Sequence, residues 1–133
     1  MGSKNSIPSN NKMQHMQSFP MALDLAAIMT IEEIILFSYL MDVEYRIFTN
    51  KKLDSKTIKM KNKGWFKCSF HKIQKAIHYT DTQLTRSISR LIQKMFMSTM
   101  IEDKDPKMIR WIKIHVDSII ESYDTANSFK DNG

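Results

Sequence analysis

Thr82, Gln83, Arg86, Ser89, Arg90 and Gln93 recur at intervals of three and four residues. At about 100° per residue they fall along one side of a helix, and Leu84, Ile88 and Leu91 fall along the other. That polar set can do a particular chemistry. Arginine can hold guanine by two hydrogen bonds, glutamine can do the same with adenine, and hydroxyls reach phosphate oxygens. Thr80-Asp81-Thr82-Gln83 reads as a capping box that starts this helix, which runs to about Lys94. Ahead of it, Ser69 can cap a shorter helix over Phe70 to His78, with Phe70, Ile73, Ala76 and Ile77 at apolar spacing. Other chemistries have less to stand on. His71 and His78 lie seven residues apart on that shorter helix, about 10.5 Å of rise, too far to share one zinc. The three glycines are scattered at 2, 64 and 133, so there is no phosphate-cradling loop. No Ser/His/Asp grouping surrounds a recognisable nucleophile. Neither an enzyme, a cofactor nor a metal site is expected.

Two helices joined by a tight turn, with the second presenting such a face, are where a family likeness emerges. The run from Ile77 through Thr80, Thr82, Arg86 and Ile88 to Leu91 and Met97 resembles winged helix-turn-helix DNA-binding domains. About twenty residues match closely, within a wider pattern from Gly64 to Ile120. His78 stands where the family has its turn glycine, and Met95-Phe96-Met97 replaces the usual Gly-Leu-Ile ahead of the wing. The resemblance implies a mainly α protein with a small β-hairpin wing, that is, an α+β winged helix-turn-helix. A hydrophobic helix is added before it and another helix after it. It places the helix-turn-helix at 69–95 and the wing at 97–115. Recognition-helix contacts to DNA would come from Thr80, Thr82, Gln83, Arg86, Ser89, Arg90, Gln93 and Lys94. Weaker contacts would come from Lys72 and Lys75 on the preceding helix and from Lys104, Lys107 and Arg110 on the wing. Asp103 and Asp105 at the wing tip argue against a strong contact there.

Charge is distributed to match. The chain carries +6 overall, yet residues 51–100 hold twelve basic side chains and only two acidic ones. The whole positive excess therefore sits in the segment with the helix pair, as expected of a phosphate-binding face. The bland alternative is a solvated lysine-rich loop.

The flanking elements must hold this face in place. Residues 1–18, rich in Asn, Ser, Gln and Lys, read as a disordered tail, and the domain as 19–127. Phe19 to Leu23 reads as extended before a Pro-restricted start, with a short turn at Leu25 to Ile28. Thr30-Ile31-Glu32-Glu33 is a second capping box, opening a helix to about Phe48. Ile31, Ile34, Ile35, Tyr39 (or Ser38), Met41 and Tyr45 line one side of it, and Leu36, Leu40, Val43 and Ile47 much of the other. A helix apolar on two sides needs two covers. A second subunit is one, giving a homodimer through this helix, the C-terminal helix or both. Intrachain packing is the other.

Thr49 to Lys63 reads as a polar linker with six lysines, in which Thr57 to Lys61 alternates like a strand before an Asn62-Lys63-Gly64 turn. Trp65 to Cys68 sits where a winged helix has the strand that pairs with its wing. Met97 to Glu102 and Met108 to His115 read as the hairpin. Val116 to about Ala126 reads as a last amphipathic helix, and 128–133 as a frayed tail. Eleven methionines read as core filler or an adaptable partner surface. The single cysteine and the lack of a membrane-length apolar run suit a cytoplasmic protein. The expected function is sequence-specific double-stranded DNA binding, as a transcription regulator of a mobile element or bacterial genome. A plasmid or phage replication-initiation or partition accessory is one alternative. A winged helix that binds only protein is another.

Overall fold

The computed structural model describes residues 25–101 and 109–132. They form five helices and one small antiparallel sheet. A turn at Leu25, in which Ile28 N and Met29 N both donate to its carbonyl at 2.9 Å, leads into α1 (Ile31–Phe48). Thr30 caps α1 by accepting from Glu33 N. The Glu33 carboxylate takes the Thr30 hydroxyl at 3.0 Å and the Lys94 ammonium. Ile34 and Met41 join Leu36, Leu40 and Val43 in the core, whereas Ile31, Ile35 and Tyr45 stay on the surface at 68%, 43% and 40% exposure. Intrachain packing thus covers both expected sides only in part, and an apolar strip remains outside.

The polar stretch after α1 differs from its sequence reading. Thr57 to Lys61 is not half of a hairpin but lies within a short helix, α2 (Ser55–Lys61). The Asp54 carboxylate accepts from Thr57 N at 2.7 Å and starts it, while Lys61 Nζ donates to Phe48 O at 2.7 Å and ties its end to α1. Local capping outweighs a period-two pattern of only five residues. The turn behind it forms as its residues suggest, with Gly64 N donating to Lys61 O at 2.8 Å and Gly64 at φ +90.

Strand β1 (Trp65–Ser69) then runs directly into α3 (Phe70–Ile77), a turn, and α4 (Asp81–Gln93). Strands β2 (Met97–Ile101) and β3 (Ile109–Ile114) follow, and α5 (Val116–Asn132) ends the described chain. The sheet order is β1-β3-β2, with Phe66 opposite Ile112 and Met97 opposite Ile114. A first strand paired to the far arm of a later hairpin is compatible with a winged-helix arrangement. One sheet face supplies Phe66, Cys68, Met97, Ile112 and Ile114 to a core shared with Leu36 and Leu40 of α1, Ile73 of α3, and Leu84, Ile88 and Leu91 of α4. Phe66 meets Phe48 edge to face at 6.3 Å between ring centroids. On the other face, buried Trp111 has the Lys56 and Lys67 ammonium groups 5.9 and 5.5 Å from its ring centre.

Ala76 is exposed, although its spacing placed it with the apolar residues of α3. The last helix continues past Ala126 to Asn132, into the stretch read as a frayed tail. No Gly or Pro stands between Val116 and Gly133 to stop it. The tail at 1–18, Phe19 to Leu23 and the hairpin tip lie outside the described residues.

Candidate nucleic-acid interface

The turn between α3 and α4 rests on one residue in left-handed backbone, His78. His78 ends α3 in the left-handed region (φ 59, ψ 40), its N–H donating to Gln74 O at 2.8 Å. Histidine enters this region more readily than branched residues, so the missing glycine leaves the turn intact. Gln74 then bridges forward, its Nε2 donating to Asp81 Oδ1 at 2.6 Å. Thr80 accepts from Gln83 N at 3.1 Å, and Gln83 Oε1 accepts from Thr80 N at 2.9 Å. The expected reciprocal box is therefore formed. At the far end, Phe96 N donates to Leu91 O and Met95 N to Ile92 O, both at 2.9 Å, with Met95 at φ 65. This is a Schellman ending in which methionine takes the position usual for glycine.

Between those ends, Leu84, Ser87, Ile88 and Leu91 are buried. Thr82, Arg86, Ser89, Arg90 and Gln93 are exposed, as are Lys72 and Lys75 on α3. Three of these exposed residues, Lys72, Lys75 and Arg90, are cations, and Arg86 is a fourth.

Several candidates, Arg86 among them, also have partners within the chain. Gln83 uses both ends of its amide: Oε1 in the cap, and Nε2 toward Glu32 Oε2 at 3.4 Å. Arg86 donates from Nε to Glu32 Oε1 at 3.1 Å and from Nη2 to Glu32 Oε2 at 2.7 Å. The Tyr79 hydroxyl donates to the Glu32 carbonyl at 2.7 Å. The Arg86 guanidinium holds the Glu32 carboxyl below the usual carboxylate range, and Glu32 raises Arg86 in turn. Lys94 turns inward from the surface it was expected to serve, donating to Ile28 O at 3.0 Å and pairing with fully buried Glu33. Of the wing candidates, Lys104 and Lys107 lie outside the described residues. Arg110 does not extend outward: its guanidinium carbon sits 3.8 Å over the Phe70 ring, and burial lowers its pKa.

Glu32 is the residue that sequence reasoning missed at this surface. Its place in the first turn of α1 suggested only a partner for the helix dipole, and local spacing gives no hint of a contact 54 residues away.

An open groove of about 1210 Å³ runs beside this surface between α1, β1, α3 and the start of α4, with Tyr39, Arg46, Phe70 and Thr85 on its walls. Burial pushes the Cys68 thiol on that groove up to about 11, which keeps it protonated and poorly nucleophilic near neutral pH. Among the described residues, no three His, Cys, Asp or Glu side chains come together as a metal site, and no helix is long and apolar enough to cross a membrane. Comparison with protein-family models, curated proteins and solved structures finds no match to this chain.

Proposed function

We propose that this chain is a winged helix-turn-helix protein that binds specific double-stranded DNA through the outward face of α4 and regulates transcription. One observation carries the reading. Thr82, Arg86, Ser89, Arg90 and Gln93 line a single exposed face of a rigidly capped helix, inside the segment with the whole positive excess. A helix fits the major groove, and these side chains can read base edges or hold phosphates. Lys72 and Lys75, exposed on α3, would supply phosphate contacts. Gln83 leaves the readout set, because both ends of its amide are occupied. The exposed strip Ile31, Ile35 and Tyr45 on α1 supports a homodimer that reads paired half-sites.

A second reading keeps the DNA contact but makes it a means of recruitment in plasmid or phage replication or partition. Exposed Ile92, Met95, Met100 and Ile101 near the end of α4 and along β2 favour it, since they could seat another protein.

Selection of bound fragments from the source genome or element tests both readings. A regulator is expected to return sites near promoters, and an accessory repeated sites at an origin or partition locus. Affinity for the selected site should fall steeply with salt. No salt-dependent affinity for any DNA would leave a protein-binding role instead. Unchanged binding by the Arg86→Ala/Arg90→Ala double variant would overturn the assignment of α4.

A further inference from the structure

Glu32 is clamped to the helix-turn-helix at two levels. Its carbonyl accepts the Tyr79 hydroxyl from the turn, and its carboxylate accepts from Arg86 and Gln83 of α4. The atoms used decide the consequence. A guanidinium has five N–H donors in a planar fork. Glu32 takes the Nε hydrogen and one Nη2 hydrogen, so the adjoining edge, Nη1 with the second Nη2 hydrogen, is left open. That edge has the spacing to meet O6 and N7 of a guanine. The Arg86 side chain keeps 41% of its exposure in the pair, so it is anchored without being buried.

We infer that Glu32 is a positioning residue for base readout: it fixes Arg86 by the Nε–Nη2 edge and so presents the Nη1–Nη2 edge to one base pair. The inference rests on the DNA-binding reading of α4. A preordered arginine loses less side-chain freedom on binding its base, which favours the correct site. The carboxylate meanwhile adds negative charge close to where phosphates would lie, which disfavours binding to any DNA. Glu32 therefore lowers general affinity while sharpening discrimination. A residue that merely masked the positive face would do the first and not the second.

The test compares wild type, Glu32→Ala, Arg86→Ala and the double variant on the selected site, on its single-base variants and on unrelated duplex DNA, at fixed salt. Circular dichroism confirms that each variant is folded. Arg86→Ala is expected to abolish preference at one base pair. Glu32→Ala should reduce preference at that same pair by roughly five- to tenfold, given the usual worth of a bidentate base contact, and should raise affinity for unrelated DNA. In the Arg86→Ala background, Glu32→Ala should leave the base profile unchanged. Retained discrimination in Glu32→Ala, or equal losses at every base pair, would overturn the inference while salt-dependent binding by wild type upholds the DNA reading. Absence of salt-dependent binding by wild type would remove both.

Discussion

His78 and Met95 stand at helix ends where the sequence reading expected glycine, and both adopt positive φ. Left-handed backbone costs an ordinary L-residue on the order of 1–2 kcal/mol, and glycine avoids that cost while losing more freedom on folding. His78→Gly and Met95→Gly are each expected to stabilise the protein by about 0.5–1 kcal/mol. Urea unfolding monitored by circular dichroism measures the shift in midpoint. His78→Val, branched at Cβ, should move the midpoint the other way. Equal stability for all three would mean that the turn can relax out of the left-handed region. The glycine-shaped gaps were legible in the sequence because the surrounding pattern fixes where each helix must end. The partners of the polar side chains were not, because Arg86 and Lys94 find theirs on a helix that starts more than fifty residues earlier.

Elements follow their caps more closely than their hydrophobic pattern. Asp54 starts α2, a helix with no buried residue, and its carboxyl is held below its ordinary value first by the hydrogen bond from Thr57 N. Asp54→Ala should therefore lower stability, read by unfolding, and speed amide exchange across 55–61. A depressed carboxyl stabilises the fold above its unfolded pKa, near 3.8, and that contribution is lost as pH falls through the lower folded value. The difference between wild type and Asp54→Ala should accordingly vanish in strong acid. Lys94 is a larger matter for packing. Removing its ammonium leaves fully buried Glu33 with the Thr30 hydroxyl but no cation, and Lys94→Ala should cost about 2–3 kcal/mol after allowance for the partial exposure of the lysine.

The helix pair and α1 were legible because capping residues and apolar spacing agree there, and the hairpin because Met108 to His115 alternates in sequence. Helix α2 was hidden because its five-residue alternation resembles a strand, and the extension of α5 because its last turns carry little apolar signal. At the candidate site, the exposed face of α4 was legible from spacing, whereas the inward turns of Gln83, Lys94 and Arg110 depend on α1 and on the Phe70 ring.

At the scale of the whole molecule, acidic residues from the start of α1 dock against the basic α4. Glu32 and Glu33 meet Arg86 and Lys94, so part of the positive excess is neutralised within the chain. The cations left facing outward include Lys72, Lys75 and Arg90. Counterion release scales with the phosphates neutralised, so Lys72→Ala/Lys75→Ala should lower the slope of log affinity against log salt by about two per engaged protomer, with base preference unchanged. The same docking orients α1 so that Ile31 and Ile35, one helical turn apart, face away from the core. Isoleucine exposed at neighbouring turns of one helix is an ordinary basis for a two-fold contact, in which each stripe meets its own copy. Charging it should break the contact without disturbing the core, since neither side chain is buried in the chain itself. Ile31→Glu/Ile35→Glu is thus expected to sediment as a monomer where wild type sediments as a dimer. Its far-ultraviolet spectrum should be unchanged, and its affinity for paired half-sites should fall toward that for one half-site. Wild type sedimenting as a monomer at binding concentrations would remove the two-fold reading and leave the DNA contact of α4 to stand alone.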